Sequence, residues 1–223
     1  MIEGICECPW DTAVFGIPCY EIEDASPATL DWASRHSGHY TIRVSPLSDK
    51  KILHDFGFYY ADTLIVPECT PDRLRGTCEP YAKIKRGVRP EEVEHMCVGS
   101  FLYGRFHRDL YLSAEKADQR YIKWLHHLSS TGELLGLMYQ EHLAGFVACK
   151  DSELVLHALA AEYRGKGLAK GLWHAACRHL FEKGATRLRS SISAANLPVL
   201  NLYASLGFRF SSATDIYHRL TKK

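Results

Sequence analysis

From about residue 80 onward, apolar positions switch repeatedly between strand-like runs and the three-to-four spacing of helices. Residues 81–85 fit a first strand. Pro90 sits where a first helical turn tolerates proline, and Glu91 and Glu92 suit the positive end of a helix dipole. A helix running to about residue 102 is therefore expected. A second helix, about 117–128, would place Tyr121, Trp124, Leu125 and Leu128 on one face. Strands over 134–139, 143–149 and 153–159 follow, the first two joined by a tight polar turn at Glu141. Leu168, Leu172, Ala175, Ala176 and Leu180 predict a helix over 167–183, stopped by Gly184. A strand at 186–192, a helix at 197–206 and two closing strands, 207–211 and 214–220, complete an alternating α/β pattern.

The N-terminal third echoes the end of this pattern. His54 to Phe58, with its Gly57-Phe58 step, parallels Ala204 to Phe208, and Ile42 to Ser45 parallels Leu188 to Ser191. The segment between the matches is four residues shorter in the first copy, about one helical turn. Residues 1–75 are thus expected to form a truncated strand-helix-strand duplicate without a glycine loop, and 76–223 the full domain. Pro67, Pro71 and Pro80 mark the linker.

Composition narrows the class. Hydrophobic residues make up 46% and charged residues 24% of the 223, enough for a core without metal or disulfide staples. A formal net charge of +1 leaves no footprint for nucleic acid or an anionic membrane. The eight cysteines show no Cys-x-x-Cys pair and no second pair to match Cys6-Glu-Cys8, so reduced thiols and no metal site are expected. With no basic and apolar leader at the N-terminus and no membrane-length apolar run, the expected location is the cytoplasm.

The segment Arg164-Gly165-Lys166-Gly167-Leu168-Ala169 lies between an expected strand and an expected helix. The first amides of a helix lack intrahelical partners and its dipole favours anions, so such a turn cradles phosphate. Gly165 and Gly167 admit close backbone approach, and Arg164, Lys166 and Lys170 add charge. The spacing is neither a P-loop nor a dinucleotide fingerprint. Arg164-x-x-Gly167-x-Ala169, followed downstream by Asn196 and Leu202-Tyr203-x-x-x-Gly207-Phe208, resembles the GCN5-related N-acetyltransferase (GNAT) superfamily.

The resemblance implies a GNAT fold, with a mixed, mostly antiparallel sheet and helices on both faces. It implies acyl-CoA as co-substrate, with the pyrophosphate on Arg164, Gly165, Lys166, Gly167, Leu168 and Ala169. The pantetheine arm and thioester carbonyl would meet the free amides of a bulge at Leu159, Ala160 and Ala161, and Asn196 would touch the arm. Oxyanion donors of this kind are each worth roughly 3–4 kcal/mol. Tyr203 matches the tyrosine that protonates the departing thiolate, a role open to a phenol with a reference pKa of about 10. Many relatives carry a glutamate base on the strand before the loop. Here Val155, Leu156 and His157 occupy those positions, leaving His157 as the titratable candidate, with a core histidine as the alternative.

For the acceptor, Trp10 to Gly16, Leu53 to Phe58, Ser100 to Phe106 and Asp118 to Trp124 resemble the dTDP-fucosamine acetyltransferase group. That resemblance implies acyl transfer, acetyl or a longer chain such as hydroxybutyryl, to a dTDP-linked amino-deoxy sugar for surface glycan or lipopolysaccharide synthesis. Arg105, His107, Tyr121 and Trp124 are the expected sugar-nucleotide contacts, cations for the diphosphate and aromatic surface for the base. Helix packing is the alternative for the aromatic residues. Another small amine (amino acid, polyamine or aminoglycoside) and a non-catalytic acyl-CoA-binding module stand as rival functions. A homodimer is compatible with either.

Overall fold

The computed structural model describes residues 2–222. The N-terminal third runs β1 (Ile5–Glu7), α1 (Pro9–Phe15), β2 (Cys19–Ile22), α2 (Pro27–Arg35), β3 (Gly38–Val44), α3 (Lys51–Asp55) and β4 (Tyr59–Cys69). The remainder runs β5 (Ala82–Lys85), α4 (Pro90–Val93), α5 (Ala114–Thr131), β6 (Glu133–Tyr139), β7 (His142–Lys150), β8 (Glu153–Leu159), α6 (Ala169–Glu182), β9 (Leu188–Ser190), β10 (Ile192–Ser193), α7 (Leu197–Ser205) and β11 (Arg209–Thr221). Among the described residues, no helix is long and apolar enough to cross a membrane. This is the mixed α/β fold expected of a GNAT domain.

All strands join one sheet in the order β1-β2-β3-β11-β4-β9-β8-β7-β6-β5, with β10 also on β4. The two segments are interleaved, because the C-terminal strand β11 lies between β3 and β4. Outward from the antiparallel β4–β11 pair, the sheet repeats itself in both directions. β3 and β9 flank the pair antiparallel, β2 and β8 add parallel, and β1 and β7 add antiparallel. The closing strand of each half therefore pairs with the other half.

Three expectations are corrected here. The helix from Pro90 ends early: α4 passes into a 3-10 turn, Glu94–Cys97, and Gly99 has φ +66°. Residues 98–112 consequently form an irregular loop. The expected closing hairpin is one long strand, because Ser212-Ala213 offers no turn residue and a register shift between Phe210 and Ser212 absorbs the irregularity. The single strand expected over 186–192 breaks at Ser191 into β9 and β10.

Two cores sandwich the catalytic half of the sheet. On one face Leu135, Leu137, Val147, Leu154, Ile192 and Tyr203 pack with α6 residues Leu172, Trp173 and Ala176. On the other, Phe146, Ala148, Leu156, Ala158 and Ala160 pack against α5 through Tyr121, Leu125 and Leu128. A third core, built on Leu30, Tyr40, Ile42, Leu53 and Phe58, supports the N-terminal third.

Candidate active site

The sheet opens at one place. β8 and β9 are paired in parallel only at Glu153–Arg189 and Leu154–Ser190. Past these residues β8 continues along β7, whereas the chain leaving β9 turns as β10 onto β4, with Ser193 opposite Leu64. The result is a gap with β8 on one side and β10 on the other.

A bulge sets what faces this gap. Opposite the Ala148/Cys149 step, Leu154 and Leu156 are the paired residues, so Val155 is the extra one. Leu154 therefore joins the α6-side core while Leu156, Ala158 and Ala160 join the α5-side core. His157 is left pointing toward α6 and α7. The bulge was expected at Leu159, Ala160 and Ala161. Instead the Ala160 amide donates to Ala144 O at 2.9 Å, and Ala161 opens a 3-10 turn, Ala161–Tyr163. Leu159 faces the other way from Ala160, and its carbonyl accepts Arg164 Nε at 2.9 Å in the gap.

On the α6/α7 face, the Tyr203 hydroxyl and His157 Nε2 share a hydrogen bond of 2.9 Å. Tyr203 is wholly buried, and burial pushes its phenol far above the usual range, so it holds its proton. Burial pulls His157 down to about 4, which keeps its imidazole neutral and a good acceptor. The Trp173 ring stands at 90° to His157 with centroids 5.2 Å apart and fixes its orientation. His157 is thus the partner of the expected acid. Its ring lies on the same face as Tyr203, toward α6 and α7.

On the opposite face a carboxylate appears that the sequence did not single out. Ile192 packs into the α6-side core, so Ser193, the next residue, points the other way. Its hydroxyl donates to Asp62 Oδ1 of β4 at 2.7 Å. Ser193 lies on β10, one side of the gap, so its bond places Asp62 behind that side, on the α5 face. Asp62 is 1% exposed, its Oδ1 also accepts Arg108 Nη1 at 3.2 Å, and Oδ2 has no hydrogen-bond partner among the described residues. Burial raises its pKa, against the pull of Ser193, Arg108 and the Thr63 amide. The sequence signal, an acid two residues past Tyr60 in a mostly apolar strand, carries meaning only once β4 is known to pair with β10 beside the gap.

The glycine loop opens at the same end. Gly165 and Gly167 take φ +71° and +74°, and a Cβ at either would project into open space. α6 begins at Ala169 with Leu168 as N-cap and no side-chain cap, leaving its first amides free. Lys166 and Lys170 are exposed beside them. This donor set suits a pyrophosphate. Arg164 is committed elsewhere, its Nη2 donating to Ser100 Oγ at 2.5 Å and its Nε to Leu159 O. The Asn196 side chain caps α7 by accepting the Val199 amide at 3.3 Å, which places Asn196 at the gap edge.

The expected acceptor contacts separate. His107 has a side chain 2% exposed, and its Nε2 is bonded to Asp118 Oδ1 at 2.9 Å. Tyr121 is buried between Phe101, 4.2 Å away, and the His107 ring. Trp124 lies in a groove with Val155, Glu153 and Lys150, at the end of β8 away from the gap. His107 and Tyr121 are thus enclosed between α5 and the loop, while Trp124 lines a groove apart from them. Arg105 does stay near Asp62. It makes no side-chain hydrogen bond among the described residues, its Nε is unpartnered, and burial lowers its pKa to about 10.

Comparison with known proteins bears on this geometry. Residues 101–208, spanning the gap, the loop and α7, match the acetyltransferase (GNAT) family. That segment is similar to a GNAT acetyltransferase domain over just under half of the chain. This domain makes the chain an acyl-CoA-dependent N-acyltransferase. The fold resembles that of a GCN5-related N-acetyltransferase from Sphaerobacter thermophilus (TM-score 0.62, 10% identity), covering 92% of this chain and 73% of that one. It also resembles a tandem GNAT protein from the clavulanic acid biosynthesis pathway (TM-score 0.56, 14% identity, 93% and 77% covered). A third similar structure is a GNAT-family acetyltransferase from Novosphingobium aromaticivorans (TM-score 0.55, 14% identity, 100% and 90% covered). Curated proteins give no sequence match. At these identities the structural likeness carries the GNAT fold, and the family match carries the reaction class.

Proposed function

We propose that this GNAT domain transfers an acyl group from acyl-CoA to the amine of an anionic acceptor, a dTDP-linked amino-deoxy sugar, by direct attack in a ternary complex. The observation that carries the proposal is the pair of opposed groups at one gap, Tyr203 on the α6/α7 face and Asp62 on the α5 face. Asp62, raised by burial and with Oδ2 free, takes a proton from the substrate ammonium. The amine lone pair then bonds to the thioester carbonyl carbon, and backbone amides at His157 and Leu159 face the developing oxyanion. Collapse breaks the C–S bond, and the thiolate takes the Tyr203 proton. The acylated nitrogen sheds its second proton, which returns through solvent to the Tyr203 phenolate, and Asp62 releases the first to solvent, so the balance is acyl-CoA plus ammonium to amide, CoA thiol and one proton.

The loop 164–169 holds the CoA pyrophosphate in this reading, with Asn196 beside the arm. Arg108, bonded to Asp62, favours an acceptor that carries negative charge, and the charge of Arg105 adds to the positive field at Asp62. With His107 and Tyr121 committed to packing, Tyr103 and Tyr111, 44% and 54% exposed on the same loop, offer the aromatic surface for a base. The mirrored strand pairing about β4–β11 supports reading residues 1–75 as a truncated duplicate of the domain at 76–223, with exchanged closing strands. The likeness to a tandem GNAT protein is in keeping with that.

The test is release of CoA thiol from acetyl-CoA in the presence of dTDP-3-amino and dTDP-4-amino deoxy sugars, spermidine and an aminoglycoside. Turnover with a dTDP-amino sugar at least a hundredfold above the cationic amines is expected. Preference for spermidine or the aminoglycoside would overturn the acceptor assignment, and no thiol release with any amine would overturn the enzymatic one.

A further inference from the structure

A second polar cluster lies outside the gap, entirely in the interior, and it centres on one atom. Asp109 has a wholly buried side chain. Its Oδ2 accepts His218 Nδ1–H at 2.6 Å, Tyr59 O–H at 2.9 Å and His39 Nε2–H at 3.0 Å. Its Oδ1 accepts the amides of Tyr111 at 2.8 Å and Leu112 at 3.1 Å. Burial opposes the charge, but the hydrogen bonds from His218 and His39 outweigh it and hold the carboxyl well below the usual range. The three side-chain donors come from β3, β4 and β11, which are neighbours in the sheet.

His39, Asp109 and His218 also have the composition of a metal site. A metal site converges on an empty point between its ligands. Here the three donors converge on the carboxylate oxygen itself, and each is satisfied there. The constellation is a hydrogen-bond hub.

Its place in the chain gives it a task. The loop 98–112 has no strand or helix to hold it. It is fastened at His107, bonded to Asp118 of α5, and at Asp109. Between these two fixed points stands Arg108, whose guanidinium reaches Asp62 Oδ1. We propose that Asp109 is a positioning residue that, through its hub with Tyr59, His39 and His218, aims Arg108 at Asp62 and at the negative charge of the acceptor. This rests on the acceptor-side reading given above. It assigns the N-terminal third a role in acceptor binding, since β3 and β4 supply two of the three donors.

The test is a kinetic double-mutant cycle with Asp109→Asn and Arg108→Ala, using acetyl-CoA and the best amine from the panel. Asparagine keeps the shape but turns one acceptor oxygen into a donor, facing three donors. Asp109→Asn is expected to raise the acceptor KM tenfold or more and leave the acetyl-CoA KM within twofold. Added to Arg108→Ala, it should bring less than a further twofold rise, because both changes remove the same aim. Multiplicative effects would overturn the hub's role while sparing the acceptor assignment. An unchanged acceptor KM in Arg108→Ala would overturn both. If Asp109→Asn fails to fold, Tyr59→Phe removes one donor only and should raise the acceptor KM at least twofold in the same pattern. Titration of the wild type with Co2+ should give no visible absorption bands. One equivalent bound in the wild type and lost in Asp109→Asn would replace the hub with a metal site.

Discussion

The Tyr203 hydroxyl and His157 Nε2 meet at 2.9 Å on the α6/α7 side of the β8–β10 gap. Burial holds both groups neutral: it pushes the phenol upward and lowers the imidazole to about 4. The proton shared between them stays on tyrosine through the physiological range, where a departing thiolate can take it. Tyr203→Phe removes that proton but keeps the ring against Phe208, whose centroid is 4.7 Å away. Turnover should fall by about a hundredfold or more while the acyl-CoA KM stays within twofold. Steady-state kinetics with saturating acceptor check this; unchanged turnover removes Tyr203 from the mechanism.

Asp62 should show the opposite trade of activity for stability. Its folded pKa is raised, so the folded state binds its proton more tightly than the unfolded chain does. The stability it contributes is present below its unfolded pKa and is lost as pH rises through the folded one. At pH 7 its charge is therefore a net burden, and Asp62→Asn should raise Tm while kcat/KM for the acceptor falls by about a hundredfold. The wild-type acid limb should lie above the ordinary aspartate value of about 3.9 and vanish in the variant. A lower Tm together with unaltered kcat/KM would rule out a strained catalytic carboxylate.

These two residues differ in how legible they were. Tyr203 stands in a local pattern, Leu202-Tyr203-x-x-x-Gly207-Phe208, and the loop from Arg164 to Ala169 declares itself by glycines between a strand and a helix. Asp62 acquires its place only through pairing between β4 and β10, which joins Ile65 to Ile192, 127 residues on, and Leu64 to Ser193, 129 residues on. No window along the sequence contains that contact. The bulge at Val155 was misplaced for a similar reason, since a bulge is a relation between β7 and β8 and leaves little composition signal. The packing role of Tyr121 and His107 could be read only after α4 proved short, which lets residues 98–112 fold back over α5.

Gly167 offers a test of the phosphate cradle that is separable from folding. Its φ of +74° disfavours any side chain, yet a Cβ there meets no atom within 4 Å. Gly167→Val should then cost only backbone strain, about 1–2 kcal/mol, with a Tm loss of a few degrees. Acyl-CoA affinity should drop at least tenfold, because the new side chain occupies the open face of the loop where phosphate oxygens would approach. Calorimetric titration with CoA measures this, and wild-type affinity would move the pyrophosphate elsewhere.

Two histidines with lowered pKa values, His157 and His218, predict how the fold responds to acid. His157 and His218 are each held at about 4, chiefly by burial, against about 6.5 for an unfolded histidine. Between those values the unfolded chain binds more protons than the folded one, so stability rises with pH across the window. Thermal stability should be flat above about pH 7 and fall steadily as pH drops from about 6.5 to 4. Asp62 works against this trend, because its raised pKa favours the folded state as it protonates. His218 is tied to Asp109 and His39, so His157 is the cleaner one to remove. His157→Gln leaves an amide that can still accept the Tyr203 hydroxyl, and it deletes one titrating group. Its Tm-against-pH curve should be shallower than the wild type between pH 6.5 and 4 and parallel to it above 7. Identical slopes would mean that His157 is protonated in the folded protein, and the donor–acceptor order of the Tyr203 pair would have to be reversed.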